Sequence, residues 1–273
     1  MKKLLLGIAA VCLAGFTFAQ DAPLWMRHSV ISPDGTTIAF TYKGDIYTVP
    51  VAGGRAMQIT TNPAYDTAPV WSPDSKRIAF ASDRMGSLDV YIVAKDGGEP
   101  RRLTTHSGSE TPLAFTDAGH VLFSAGIMPS AEAVVFPSNG QFNQVYRVSV
   151  EGGRPTMISS MPMECISINK EGAMLYQDKK GYEDYWRKHH VSPIARDIWM
   201  YTPGKEPQYR QLTTFGGEDR EPVWAPDGKT FYYLSEENGS FNIYRRTPGD
   251  AKAVQLTHYT KNPVRYLSAA TDG

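Results

Sequence analysis

The chain has 273 residues, 41% hydrophobic and 21% charged, with 28 basic and 28 acidic side chains. These values describe an ordinary soluble protein and exclude disorder, collagen and coiled coil. The balanced charge argues against a nucleic-acid-binding surface, which needs an excess of basic groups. The 24 glycines, 19 prolines and 15 tyrosines favour a β-rich fold with many turns.

The first 19 residues have the three parts of a secretory signal peptide. Lys2 and Lys3 form the charged start, residues 4–16 the apolar run, and residues 17–19 a small-residue cleavage site. Because the apolar run is too short to span a bilayer, we expect cleavage after Ala19. The mature protein is then exported to the periplasm and has no membrane span.

Export also determines what the cysteines can do. Cys12 lies inside the signal, so Cys165 alone remains in the mature chain. This excludes an intramolecular disulfide and a Cys-x-x-Cys zinc or redox site. Since the residues from Cys165 to Ile168 have strand character, we predict a buried, inert thiol.

One motif recurs along the whole mature sequence. Its clearest copy, residues 70–105, contains Val-Trp-Ser-Pro-Asp, Ile-Ala-Phe, Asp-Val-Tyr, Gly-Gly and Arg-Leu-Thr-Thr. The equivalent turn positions are Asp34, Asp74, Asp117, Lys170, Asp227 and Asp272. Their spacing of 40 to 57 residues is typical of the blades of a propeller.

Each copy has the chemistry of four short strands. In Ser-Pro-Asp-Gly, proline presets φ, aspartate caps the turn and glycine accepts a positive φ, so the motif closes a hairpin. We therefore interpret Asp34, Asp74 and Asp227 as structural turn residues and not as paired catalytic carboxylates. Gly-Gly permits the turn into the fourth strand, and Leu-Thr-Thr ends the blade.

The predicted fold class is all-β: a β-propeller of four-stranded antiparallel blades, with five complete blades and a sixth that is truncated. The propeller occupies residues 20–273. Its blades are expected at about 28–62, 68–106, 112–160, 164–215 and 221–259, with the start of a sixth at 265–273. Because residues 267–273 repeat only a first strand and turn, we expect a fragment of a longer gene product.

The sequence contains no motif of a known catalytic site. A Gly-x-Ser-x-Gly elbow, a His-Glu-x-x-His motif and a phosphate-binding glycine loop are all absent. His189 and His190 are adjacent, and adjacent residues on a strand point to opposite faces, which disfavours a shared metal. We assign no catalytic residue, no metal site and no cofactor.

The strongest departure from the repeat is an insertion at residues 178–196, dense in aromatic and basic groups. We predict a contact surface for a peptide or a partner domain, with these candidate residues: Trp186, Arg187, Lys188, His189 and His190. In the alternative, the insertion is a loop packed across neighbouring blades with solvated charges. A second expanded loop at 125–143 is compatible with a binding element or with structural filler.

The repeated Ser-Pro-Asp-Gly, Ile-Ala-Phe, Asp-Ile-Tyr, Gly-Gly and Leu-Thr-Thr elements resemble the propeller repeats of TolB, of prolyl-oligopeptidase-type enzymes and of tricorn protease. Two features make exported tricorn-like peptidases the better match. Residues 23–28, Pro-Leu-Trp-Met-Arg-His, run directly into the first blade, and the insertion runs from Gly181-Tyr-Glu-Asp to Arg196-Asp-Ile-Trp.

This resemblance implies a six-bladed N-terminal propeller, then a second propeller, a PDZ-like module and a serine-peptidase core of the C-terminal-processing type. The propeller would admit or orient unfolded peptides, and its expected partners are such peptides or the downstream peptidase domains. A homo-oligomer is compatible with the sequence. No position matches the family's catalytic serine or histidine, so we expect no hydrolysis by this chain alone. The alternatives are a prolyl-oligopeptidase-like enzyme and a non-enzymatic TolB-like interaction module.

Overall fold

The computed structural model describes residues 25–126, 143–181 and 191–271. These residues contain no helix, and their strands form five four-stranded antiparallel sheets. Each sheet consists of strands that are consecutive in the chain, and the sheets are the blades of a β-propeller. The predicted all-β class and five complete blades are confirmed. Within the described ranges, no helix of the length and apolarity needed to cross a membrane occurs.

Blade 1 comprises β1 (Arg27–Ile31), β2 (Thr37–Tyr42), β3 (Asp45–Pro50) and β4 (Met57–Gln58). Blade 2 comprises β5 (Asp66–Trp71), β6 (Arg77–Ser82), β7 (Asp89–Ala94) and β8 (Arg101–Arg102). Blade 3 comprises β9 (Glu110–Asp117), β10 (His120–Ala125), β11 (Gln144–Ser149) and β12 (Thr156–Ser159). Blade 4 comprises β13 (Met163–Ile168), β14 (Met174–Asp178), β15 (Ile198–Thr202) and β16 (Gln208–Gln211). Blade 5 comprises β17 (Asp219–Trp224), β18 (Phe231–Ser235), β19 (Asn242–Arg246) and β20 (Val254–Gln255).

The first strand of every blade lies nearest the axis of the propeller, because neighbouring blades make most of their contacts through these strands. Antiparallel order then gives the propeller two different ends. At the turn end, the first strand connects to the second and the third to the fourth. At the insertion end, the second strand connects to the third and each blade passes to the next.

In blades 1, 2, 4 and 5, a threonine hydroxyl holds the chain where the fourth strand ends. In blade 2, the Thr104 Oγ1 atom accepts a hydrogen bond from the Val90 N–H at 2.9 Å. The preceding residue, Leu103, donates its N–H to the Val90 carbonyl. Equivalent threonine bonds are Thr60 to Ile46, Thr213 to Ile198 and Thr257 to Ile243. The last strands of blades 1, 2 and 5 are only two residues long, which limits the open sheet edge.

Apolar layers between blades form the core. Between blades 1 and 2, the Phe80 and Tyr91 rings stack with centroids 5.9 Å apart, and both side chains are buried. Trp71 packs in the same layer and donates its indole N–H to the Val30 carbonyl at 3.1 Å. Burial of each such side chain contributes roughly 1.5–3 kcal/mol. A single blade cannot cover both of its faces, so the layers require neighbouring blades.

A bulge interrupts the first strand of blades 1, 2, 4 and 5. One residue in each bulge has a left-handed backbone, and these residues are His28, Ala68, Cys165 and Glu221, with φ between 50° and 52°. All four lie four positions before the first residue of the following turn. A bulge adds a residue to one strand and redirects side chains there, so the residues of the first strands do not alternate regularly.

Residues 264–271 belong to none of the five sheets but enter the propeller as a first strand does. The Val264 N–H donates to the Phe241 carbonyl at 3.0 Å. The first residue of the first strand makes the same N–H to carbonyl bond in three blades: Asp66 to Gly44, Glu110 to Leu88 and Asp219 to Arg196. Two residues later, Tyr266 has φ 58°, at the position of the left-handed bulge residue.

The same segment also contacts blade 1. The Ser268 Oγ atom accepts a hydrogen bond from the Ile31 N–H at 3.1 Å. At the equivalent position between blades 4 and 5, Ser167 Oγ accepts from the Trp224 N–H at 3.0 Å. Residues 264–271 therefore bridge blades 5 and 1 through bonds that complete blades also make.

Candidate functional site

The blade 4 insertion connects β14 to β15 at the insertion end of the propeller. The predicted contact residues Trp186, Arg187, Lys188, His189 and His190 lie outside the described residues, so their role stays a prediction. Most of the second expanded loop, residues 127–142, also lies outside. The structure does describe both stems of the insertion, residues 178–181 and 191–197.

Hydrogen bonds fasten the two stems to each other. Lys180 Nζ donates to the Ala195 carbonyl at 2.8 Å and also to the Asp197 carboxylate. Asp178 accepts from the Asp197 N–H at 2.8 Å and from the Trp199 indole N–H at 3.1 Å. Burial raises the pKa of the Asp178 carboxyl, and the hydrogen bonds to its charged form oppose that shift. The insertion therefore leaves the blade from a closed, hydrogen-bonded base.

A chain of alternating charges lies beneath this base, between blades 4 and 5. Lys179 and Arg196 both contact Glu164, each at 3.3 Å. Arg196 also lies 3.4 Å from Glu218, which pairs with Arg220 at 2.6 Å. The Glu218 and Arg220 side chains are 1% and 2% exposed. Pairing is required at this depth, because an isolated buried charge costs several kcal/mol.

The charge chain continues toward the propeller axis. Gln177 donates its amide N–H to Glu164 at 3.0 Å and accepts from the Glu221 N–H at 3.0 Å. Glu221 in turn accepts from the Leu267 N–H at 2.7 Å. One polar network thus joins blade 4, blade 5 and residues 264–271. This network was not predicted from the sequence, although the charged run Glu218–Glu221 at the start of a first strand indicates it.

The prediction of a buried Cys165 is wrong, because this residue is exposed. It occupies the bulge of β13 with φ 52°, where the strand backbone redirects the side chain. Although the residue as a whole is exposed, the strands packed around the sulfur desolvate it, and this desolvation, with the carboxylates of Glu221 and Glu164, raises the pKa of the thiol. The thiol therefore remains protonated at neutral pH, as expected for a weak nucleophile.

The repeated turn aspartates lie at the opposite end of the propeller. The Ser32 hydroxyl donates to Asp34, and the Ser72 hydroxyl donates to Asp74, each at 2.6 Å. Asp227 accepts from the Thr230 N–H and the Lys229 N–H, both at 2.8 Å. These bonds lower the pKa of all three carboxyls. Each carboxylate is thus engaged inside its own turn.

The second turn differs from its equivalents by one residue. Blades 1 and 5 have Gly35 and Gly228 after the aspartate, with φ 70° and 63°. Blade 2 has Ser75 there with φ 56°, and its hydroxyl accepts a hydrogen bond from the Asp34 N–H at 3.1 Å. This bond to the neighbouring blade offsets the strain of a left-handed serine.

In the described ranges, no group of three or more histidine, cysteine, aspartate or glutamate side chains has the arrangement of a metal site. What the site offers instead is a polar, firmly held base for a surface insertion.

Residues 23–273 match the family described as the tricorn protease N-terminal β-propeller domain. The chain belongs to this family. It is 25% identical to tricorn protease homolog 1 of Streptomyces coelicolor over 254 residues, which are 92% of this chain but 22% of that relative. This chain therefore spans less than a quarter of the relative's length.

Two solved structures show the same fold. The crystal structure of the tricorn protease has a TM-score of 0.72 at 19% identity, over 90% of this chain and 24% of that one. The structure of a putative TolB from Agrobacterium tumefaciens has a TM-score of 0.66 at 15% identity, over 85% of this chain and 80% of that one. Together with the family match, these findings support a peptidase-associated propeller.

Proposed function

We propose that this chain is the substrate-admitting propeller of an exported tricorn-like serine peptidase. The family match over residues 23–273 carries the proposal. In this reading the propeller binds or orients unfolded peptides, and a downstream serine hydrolyses them. The chain itself lacks the sequence motifs of a nucleophile site.

We further propose that residues 264–271 are the first strand of a sixth blade. Their bonds to blades 5 and 1 support this, and so does the exposure of the adjoining surface. Leu256 directly follows the last strand of blade 5 and is 43% exposed. Its equivalents in blades 1, 2 and 4, namely Ile59, Leu103 and Leu212, are 3–6% exposed. The remaining strands of a sixth blade would cover Leu256 as the neighbouring blades cover the others.

Export to the periplasm is part of the same proposal and rests on the signal-like residues 1–19. Production of the chain with these residues in a Gram-negative bacterium tests it. We expect the periplasmic fraction to contain a protein whose N-terminal residue is Gln20, as read by mass spectrometry. A chain that keeps residues 1–19 in the cytoplasm would contradict export.

The blade 4 insertion is the proposed peptide-contact element. Replacing Trp186, Arg187 and Lys188 together with alanine should weaken binding of an unfolded peptide, with little change in thermal stability. The matched control replaces the exposed Arg55 and Lys205, which lie in turns at the opposite end of the propeller. A large loss of stability with unchanged binding would instead favour a packed loop.

Hydrolysis distinguishes the proposal from a catalytic chain. Purified residues 20–273 should not cleave an unfolded peptide, and turnover that a serine-directed inhibitor abolishes would overturn the assignment. The TolB-like interaction module remains the second candidate, because the putative TolB structure matches over 80% of its own length. The sequence encoded downstream distinguishes the two peptidase types. A serine nucleophile that follows a PDZ-like module favours the tricorn type, and a Gly-x-Ser-x-Gly elbow favours the oligopeptidase type.

A further inference from the structure

Two positions of the repeat meet between every pair of consecutive blades. One is the residue where the third strand begins or, in blade 4, the residue just before it. The other is the first residue of the next blade's first strand or, after blade 5, the first residue of the segment 264–271. Both positions are acidic in three interfaces: Asp45 with Asp66, Asp89 with Glu110, and Asp197 with Asp219. Both are uncharged in two others: Gln144 with Met163, and Asn242 with Val264. The two positions thus vary together. In none of these five pairs is one residue acidic and the other uncharged.

The pair between blades 2 and 3 is the most enclosed. Asp89 and Glu110 are both 0% exposed. The backbone bond from the Glu110 N–H to the Leu88 carbonyl, 2.6 Å long, holds Glu110 beside the start of β7. Among the described residues, the Thr104 and Asp89 side chains lie near the Glu110 carboxyl, but neither reaches full hydrogen-bond geometry with it. Two ionised carboxylates at such a site would repel each other strongly.

Among the described residues, Arg102 is the permanently charged cation that contacts this pair. Arg102 on β8 lies 2.8 Å from Asp89. His106, in the loop after β8, places Nδ1 3.5 Å from Glu110. Arg84, in the loop before β7, forms a two-bond contact with Asp66. The remaining titratable neighbour is Tyr91 on β7.

We propose that the Asp89–Glu110 pair holds one proton in the folded chain, and that the interface between blades 2 and 3 weakens when this proton leaves. The proton makes one carboxyl a neutral donor to the other, which removes the repulsion. Arg102 then balances the single remaining charge.

The titration expected from this environment lies near neutral pH. Burial, followed by the charge of Asp89, raises the pKa of Glu110 to about 8. The pair between blades 4 and 5 repeats the pattern, because burial, with a contribution from the Asp197 charge, raises the pKa of Asp219 to about 7. Around Asp219 the charged and titratable groups are Asp197, with its partner Lys180, and Glu237 and Tyr233.

The sign of the effect follows from proton linkage. In the unfolded chain a glutamate titrates near about 4.3. Between that pH and about 8, the folded chain binds one proton more at Glu110 than the unfolded chain does. The unfolding equilibrium constant should therefore rise about tenfold per pH unit in this window. The contribution levels off above pH of about 8 and is fully stabilising below about 4.

Urea unfolding of the full chain between about pH 5 and 8 tests the proposal. Glu110→Gln keeps the shape of the protonated acid and cannot ionise. In this variant, we expect the unfolding equilibrium constant to lose the tenfold rise per pH unit that the parent shows. Glu151→Gln is the matched control, because Glu151 is exposed and paired with Arg101 at 2.7 Å, and it should keep the parental dependence. An unchanged pH dependence in Glu110→Gln would overturn the proposal.

A second measurement does not depend on the variant folding. Carbon NMR of the parent, with glutamate carboxyls labelled, reports the ionisation of each group directly. We expect one glutamate to titrate above about pH 7, far from the ordinary value near 4.3. If Glu110 and, in aspartate-labelled protein, Asp89 both ionise below about pH 6, the pair holds no proton and the proposal fails.

Discussion

Leu103 and Leu256 form a matched pair that measures what a neighbouring blade contributes. Both directly follow a fourth strand, and both donate their N–H to a third-strand carbonyl at 2.8 Å. Leu103 is 3% exposed and Leu256 is 43% exposed. Leu103→Ala removes a fully packed side chain and should lower the free energy of unfolding by about 3 kcal/mol. Leu256→Ala removes about half as much buried surface and leaves no closed cavity, so we expect about 1 kcal/mol.

Equilibrium urea unfolding of both variants gives this difference directly, provided that the m-value stays at the parental value. We expect Leu103→Ala to be less stable than Leu256→Ala by about 2 kcal/mol. A longer chain that includes a complete sixth blade should raise the cost of Leu256→Ala to that of Leu103→Ala. Equal losses in the 273-residue chain would refute the argument, because they would mean that Leu256 is already covered.

Three further changes test the contacts that join the blades. Ser268→Ala removes the acceptor of the Ile31 N–H and should speed hydrogen exchange at that amide about tenfold. The control Ser167→Ala should speed exchange only at the Trp224 amide. If Ser268→Ala leaves exchange at Ile31 unchanged, the contact between Ser268 and Ile31 is excluded. Arg220→Met removes one ion-pair partner of the buried Glu218, so thermal and urea unfolding should show a loss of about 3–5 kcal/mol. A loss below about 1 kcal/mol would mean that the pair is solvated. Asp227→Ala should cost about 1 kcal/mol at neutral pH. Because the pKa of Asp227 is lowered in the fold, this cost should shrink as the pH falls through that pKa, and a pH-independent cost would contradict turn capping.

The blade architecture was accessible from the sequence because its signals are local. Ser-Pro-Asp-Gly specifies a turn within four residues, and the aromatic of Asp-Ile-Tyr marks a buried third strand. Tyr91 and Tyr244, at two copies of that aromatic, are both buried between blades. Repetition then supplied the non-local part, since identical units must stack on one another.

The inter-blade polar contacts were not accessible in this way. Glu221 accepts a hydrogen bond from Leu267, 46 residues away, and Arg220 contacts the ring of Phe241 at 5.0 Å. Such partners are set by the packing of whole blades and leave no short motif. The prediction that Cys165 is buried was wrong for a related reason. A bulge changes which side chains of a strand are exposed, and no particular residue type marks its position in the sequence.

Binding of unfolded polypeptide tests the central claim most directly. One probe protein, fluorescently labelled, is offered to residues 20–273 in its native form and in a permanently unfolded form with reduced and blocked cysteines. We predict saturable binding of the unfolded form alone. This binding should be lost when Trp186, Arg187 and Lys188 are replaced with alanine. Equal binding of both forms, or no binding of the unfolded form, would contradict a substrate-admitting propeller.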